Sequence, residues 1–222
     1  MPSAPRSPTR TEEVIVPAER TGLAGVLAVP PDRTALIAFA HGSGSGRRSP
    51  RNRFVAEVLN RAGFATMLVD LLTVEEEGDR AHVFDIPLLA RRLVEVTHWL
   101  RTRPDLGGLP TGYFGASTGA GAALWAATEP GTDIAAVVSR GGRPDLAGPR
   151  LSSVHAPTLL IVGGADTWVL GVNREAQLRM PCPSELDIVP GATHLFEEAG
   201  ALEQVADLAA QWFHRHLTAV PH

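Results

Sequence analysis

Apolar residues along this chain fall into short unbroken blocks, chiefly Ala35–Ala40, Phe64–Asp70, Ile134–Val138 and Pro157–Val162. A continuous block, as opposed to strict alternation, predicts a strand covered on both faces, the usual state of strands in a parallel sheet. Helical spacing fills the intervals. A polar segment, Arg47–Arg53, enters a helix that runs through about Ala62 and closes at Gly63. Asp85–Thr102 places Ile86, Leu89, Leu93, Val96 and Leu100 on one face and Arg91, Arg92 and Glu95 on the other, until Pro104 stops it. A last helix, about Ala201–Leu217, turns Leu202, Val205, Leu208, Ala209, Trp212 and Phe213 inward. Weaker signals predict a short helix over Val172–Leu178 and a last strand over Leu186–Val189. At the start, Val14–Val16 and Leu23–Val29 read as an edge hairpin turning through Glu19–Gly22. Leu71–Phe84 has no clear period, carries Glu75, Glu76, Glu77 and Asp79, and reads as a loop.

Strands alternating with helices predict an α/β fold, with a mostly parallel central sheet, right-handed crossovers and helices on both faces. Residues 1–12, rich in Pro, Ser and Arg near the start, read as a disordered lead-in, and 13–222 as one domain without internal repeat or linker. In such a sheet, sites form at the carboxyl ends of the strands. Four chemically distinctive segments fall there: His41-Gly42-Ser43-Gly44-Ser45-Gly46, Gly115-Ala116-Ser117-Thr118-Gly119, Gly163-Gly164-Ala165-Asp166 and Gly191-Ala192-Thr193-His194. The second follows the apolar run Thr111–Phe114 and precedes small helix-forming residues, so Ser117 stands at the apex of a strand–turn–helix crossing. Side chains two positions either side would collide at such a turn, and glycine avoids the clash. Taken singly, Gly-x-Ser-x-Gly is equally compatible with a tightly packed Gly-rich turn.

Composition narrows the chemistry. All 20 basic residues are arginine and none is lysine, which excludes a Schiff-base lysine, a Walker-A lysine and a Ser–Lys catalytic pair. A net charge of −4 gives no general attraction to nucleic acid. The single cysteine, Cys182, rules out an intrachain disulfide and a cysteine-based metal cluster. No apolar run approaches the ~20 residues that span a bilayer, and the N-terminus lacks the apolar stretch of a secretory signal. The expectation is a cytoplasmic protein, monomeric or homodimeric, with no metal, cofactor, nucleic acid or membrane partner.

With these four segments in this order, the chain resembles the α/β-hydrolase superfamily, and within it the small dienelactone-hydrolase-like branch. The resemblance runs from Val14 to Leu217 and implies an α/β-hydrolase fold with minimal or no cap. It also implies a nucleophile, acid, histidine order of catalytic residues. Ser117 is then the nucleophile, His194 the general base and Asp166 the residue that orients it, with Asp145 as the alternative acid and Asp70 more simply a strand-end cap. Of the eight histidines, His194 alone lies between the last strand and the last helix; His82, His98, His155, His214, His216 and His222 lack that context, and His41 reads as a structural hydrogen-bonder. The implied oxyanion hole uses the backbone N–H groups of Ser43 and Thr118. Dienelactone hydrolases proper carry cysteine at the elbow; serine here favours general ester chemistry. The implied activity is a serine carboxylesterase acting on small to medium acyl esters through an acyl-enzyme, on a small-molecule ester in an open site. The alternatives are hydrolysis of a lactone, thioester or amide, or a triad-bearing ligand-binding protein with little turnover. Arg47 and Arg51, from a basic cluster beside the hole, and Arg140 and Trp168, near strand ends, are candidate substrate contacts. A solvated helix entry and loop packing are the plainer readings of these four.

Overall fold

The computed structural model describes residues 8–18 and 21–218. The turn residues Glu19 and Arg20, the start of the expected lead-in and His222 lie outside the described residues. Eight strands form one sheet: β1 (Arg10–Ala18), β2 (Thr21–Val29), β3 (Ala35–Ala40), β4 (Phe64–Val69), β5 (Thr111–Ala116), β6 (Ile134–Arg140), β7 (Thr158–Gly163) and β8 (Ser184–Val189). Their spatial order is β1-β2-β4-β3-β5-β6-β7-β8. The β1–β2 hairpin is antiparallel and joins β4 antiparallel, while all pairings from β4 to β8 are parallel. The fold is α/β with a mostly parallel sheet, as the unbroken apolar blocks require. Every residue of β3, β4, β5 and β7 is buried.

Two cores sandwich the sheet because successive side chains leave it on opposite faces. In β5, Tyr113 packs with α4 (Ile86–Thr102) and α5 (Thr118–Ala126), whereas Phe114 packs with α1 (Pro50–Arg61) and α7 (Ala201–Leu217). Tyr113 is fully buried, and its hydroxyl is hydrogen-bonded to Thr97 Oγ1 at 2.7 Å, so burial leaves no unpaired phenol. Cys182 is buried and its Sγ lies 3.8 Å from Thr158 Oγ1; burial pushes its thiol pKa up, away from nucleophilic use.

Several boundaries differ from the sequence reading. Strand β1 begins at Arg10, inside the segment read as lead-in, because Arg10 pairs with Val29 and its guanidinium reaches Asp105. Thr21 and Gly22 belong to β2 and pair with Ala18 and Pro17, not to the turn. The segment read as a featureless loop contains two one-turn helices, α2 (Val74–Glu77) and α3 (Arg80–Val83). The first is held by a capping box between Thr73 and Glu76, and the second by Asp79 accepting from Ala81 N–H. A 3-10 helix over Pro144–Ser153, kinked at Gly148, has no counterpart in the apolar pattern. Helix α6 spans Thr167–Gln177 and so starts directly after Asp166, five residues before the periodic signal. Finally β6 extends through Arg140, which pairs with Ala116 and Ile161; this residue is in the sheet and not in the following loop.

Candidate active site

The carboxyl end of β5 turns sharply into α5 at Ser117, whose φ of 50° and ψ of −123° are a strained combination for a residue with a side chain. Neighbouring backbone explains the glycines. A Cβ at Gly115 would lie 2.5 Å from Ala120 Cα, and one at Gly119 would lie 2.0 Å from the Ala40 carbonyl oxygen. Gly42 is equally confined, since a Cβ there would come within 2.8 Å of Ser117 Cβ. The turn thus fits only with lean residues on both sides, and it projects Ser117 from the carboxyl end of the sheet beside the His41–Gly46 loop.

Asp166 and His194 come from two loops stitched together by backbone hydrogen bonds. Gly164 N–H donates to Val189 O and Ala165 N–H to Ala192 O, both at 2.9 Å. Gly163 permits this contact, because a Cβ there would lie 2.3 Å from Ala192 O. The result is a His194 Nδ1–Asp166 Oδ2 hydrogen bond of 2.7 Å. With Nδ1–H donated to the carboxylate, Nε2 is left as the basic nitrogen. The ring lies against Gly141, where a Cβ would be 3.6 Å from Nδ1, and Gly141 follows Arg140, whose carbonyl accepts Ser117 N–H at 3.3 Å. His194 and the Ser117 elbow therefore flank the same strand end. No hydrogen bond joins Ser117 Oγ to His194 among the described residues; such bonds often close only when substrate is bound.

The other carboxylates are engaged elsewhere. Asp145 forms a forked pair with Arg143, at 2.8 and 2.7 Å. Asp70 accepts from Arg47 N–H at 2.6 Å and also from the Arg47 guanidinium, so it pins the glycine loop to the end of β4. His41 is nearly buried, with Nδ1 3.1 Å from Gly42 O and Nε2 3.7 Å from Asp70, a structural position beneath the loop.

Of the two expected oxyanion donors, Thr118 occupies the first helical position, where its N–H has no intrahelical acceptor. Ser43 N–H donates to Thr118 Oγ1 at 3.0 Å, so the side chain of one expected donor residue occupies the amide of the other. Nothing in the motif spacing signals this hydroxyl. A cavity of about 130 Å³ opens between this loop and the α2–α3 segment. Leu71, Leu72, Val83 and Leu89 supply its apolar wall and Glu77 stands at its edge. The segment is anchored from below by Arg92, a buried residue that donates to Leu71 O at 2.8 Å and, bidentately, to Glu76 at 2.6 and 2.7 Å. That hydrogen bond is the main reason the Glu76 carboxyl is lowered to about 2, with the Thr73 amide and the Arg92 charge adding to it against a desolvation cost.

The four candidate substrate contacts divide. Arg47 and Arg51 are paired, with Asp70 and with Glu197 at 3.0 Å. Trp168 is exposed and stacks under the Arg143 guanidinium at 4.6 Å. Arg140 is buried, and its Nε and Nη1 have no hydrogen-bond partner. Among the described residues no cluster of His, Cys, Asp and Glu could hold a metal ion, and no helix is long and apolar enough to cross a membrane.

A solved dienelactone hydrolase from Anabaena variabilis is 54% identical to this chain, with a TM-score of 0.90, over 94% of this chain and 99% of that one. The chain belongs to the dienelactone hydrolase family. Est1E from Butyrivibrio proteoclasticus, at 14% identity and a TM-score of 0.79 over 93% of this chain and 99% of that one, shares the fold. Two Mycobacterium tuberculosis proteins, from strains CDC 1551 and H37Rv, are each 63% identical over 210 residues and carry the name "Putative phosphoribosyl transferase". The match covers 95% of this chain and 47% of each of them, so the chain spans about half the length of the curated relatives it matches. No family model matches the sequence. Within this dienelactone hydrolase family, the elbow of the present chain carries a serine hydroxyl, and its only thiol is buried in the 180–183 loop.

Proposed function

We propose that this chain is a serine hydrolase of small acyl esters, working through Ser117, His194 and Asp166. The observation that carries the reading is the 2.7 Å Asp166–His194 pair held at the same strand end as a strained serine elbow. In the forward step His194 Nε2 takes the Ser117 proton as Oγ attacks the acyl carbonyl. Asp166 keeps the ring in the tautomer that leaves Nε2 basic and stabilises the imidazolium. The developing oxyanion is met by Thr118 N–H, reinforced by the positive end of α5, a helix of nine residues. Ser43 N–H joins it once released from Thr118 Oγ1. The imidazolium then protonates the departing alcohol, and water repeats the cycle on the acyl-enzyme. The small cavity walled by Leu71, Leu72, Val83 and Leu89 suits a short apolar acyl or alcohol group and not a long chain.

Turnover of p-nitrophenyl acetate by wild type and Ser117→Ala tests the reading: the rate should fall to background in the variant. A second reading, ligand capture with little turnover, draws on the unformed Ser117–His194 bond and the occupied Ser43 amide. A burst of one p-nitrophenol per chain with no steady rate would favour it. The transferase name belongs to the mycobacterial proteins, of which this chain matches about half, and it does not bear on Ser117.

A further inference from the structure

Threonines in the helices, or just after them, spend their hydroxyl protons on carbonyls three or four residues back. Thr97 donates to Leu93 O at 2.9 Å, Thr102 to Trp99 O and Thr128 to Trp125 O, both at 2.7 Å. Thr118 has no such carbonyl. It opens α5, and the residues three and four before it, Gly115 and Phe114, belong to β5. Its Oγ1 accepts the Ser43 N–H at 3.0 Å, and among the described residues its own O–H has no acceptor. The residue is 4% exposed, so solvent has little access to that proton. A hydroxyl both donates and accepts, and a buried donor left unused is costly.

The surroundings say what would use it. Ser43 and Thr118 line the same cavity, and Gly42 lies against Ser117, where a Cβ would come within 2.8 Å of Ser117 Cβ. The hydroxyl is bonded to one expected oxyanion donor, the Ser43 amide, and belongs to the residue that supplies the other. Because Oγ1 and the Ser43 nitrogen are 3.0 Å apart, one oxygen can lie at about 2.7 Å from the first and about 2.9 Å from the second. We propose that the Thr118 hydroxyl is a catalytic residue, a third oxyanion donor beside the amides of Thr118 and Ser43. This rests on the serine hydrolase reading and adds a side chain to its backbone donors. In the free enzyme Oγ1 keeps the Ser43 amide aligned. As the tetrahedral oxygen gathers charge, that amide turns to it, and the hydroxyl, relieved of its donor, gives its own hydrogen bond to the same oxygen. The Thr118 O–H bond is not broken, and no proton is transferred through it. The positive end of α5 favours negative charge here, and the branched Cβ restricts the hydroxyl to few rotamers, so the donor is aimed in advance.

Thr118→Val keeps the shape and removes the hydroxyl. In that variant the Ser43 amide, on an exposed loop residue, is free to meet water or substrate. For p-nitrophenyl acetate, kcat and kcat/KM should fall together, by about 100-fold, with KM little changed, as for a group that acts only in the transition state. Thr118→Ser should recover most of the loss. O-(4-nitrophenyl) thionoacetate separates this role from packing, because sulfur accepts hydrogen bonds weakly. The ratio of kcat/KM for the ester over the thionoester should therefore fall about tenfold or more in Thr118→Val. Thermal melts check that each variant is folded at the assay temperature, and Thr118→Ala, which adds no bulk, repeats the test if Thr118→Val is not. A Thr118→Val protein as active as wild type overturns the proposal. So does a faster one, which would make the hydroxyl a plug on the Ser43 amide. An equal loss on ester and thionoester, or a Thr118→Ser protein no better than Thr118→Val, overturns it as well. In all four cases the Ser117-dependent turnover of wild type leaves the hydrolase reading standing. Wild type that turns over neither ester and takes up no fluorophosphonate would overturn that reading and this inference with it.

Discussion

Replacing Gly119 with alanine places a methyl group where the structure has none to spare. The new Cβ would lie 2.0 Å from Ala40 O, 2.5 Å from His41 O and 2.6 Å from Ala40 C, all backbone atoms that cannot swing aside as a side chain would. Real Cβ contacts essentially never fall below 3.0 Å, so the amino end of α5 must retreat from the end of β3 by about 1 Å. That end carries Ser117 and the Thr118 amide, and a displacement of about 1 Å in a catalytic group typically costs ~100-fold in rate. Overpacking of this kind costs about 1–3 kcal/mol of stability. Gly171→Ala is the control: exposed in the interior of α6, with nothing within 4 Å of the added Cβ, it should gain about 0.5–1 kcal/mol. Urea unfolding and kcat/KM for p-nitrophenyl acetate, measured on both variants, decide the matter. A Gly119→Ala protein as stable and as active as wild type would refute the steric account of the elbow.

Further expectations follow from the same geometry. Asp166→Asn keeps the shape of the pair but lets Nδ1 accept in place of donating, so kcat should drop by ~10⁴, read in steady-state assays, with stability little changed. Asp145→Asn, whose carboxylate pairs with Arg143, should lose less than about tenfold. Glu76→Gln leaves the buried Arg92 charge without its forked partner; allowing for the partial exposure of Glu76, a loss of about 1–2 kcal/mol in urea unfolding is expected. Because the folded-state pKa of Glu76 is lowered to about 2 from an ordinary 4.5, its contribution is fully present above pH 4.5 and is lost as pH falls toward 2. The wild-type advantage over Glu76→Gln should therefore shrink across that window in thermal melts; a gap constant from pH 6 to pH 2.5 would contradict the assignment.

Strands that are buried on both faces write themselves into the sequence as unbroken apolar blocks, which is why β3, β4, β5 and β7 and the site-bearing turns at their carboxyl ends were readable. What escaped reading was stabilised by something other than period. Helices α2 and α3 are four residues each, too short to show a face, and they hold through Thr73, Asp79 and the reach of Arg92 from α4. Arg140 lies beyond the apolar block Ile134–Val138, which Ser139 ends; its strand pairing with Ala116 is a backbone fact that side-chain polarity conceals. Helix α6 begins at Thr167, directly after Asp166, whose carboxylate goes to His194 and makes no side-chain cap, while Trp168 and Leu170 do not yet mark a buried face. The Ser43–Thr118 hydrogen bond joins a loop to the start of a helix 75 residues away, a contact no local pattern encodes.

The central claim is that Ser117 is an activated nucleophile. Labelling the intact protein with a fluorophosphonate and locating the adduct by peptide mass spectrometry tests it most directly. A stoichiometric adduct on Ser117, abolished in Ser117→Ala and strongly slowed in His194→Ala, is the predicted result. Folded wild-type protein that takes up no label, or takes it up equally with Ser117 replaced, would contradict it.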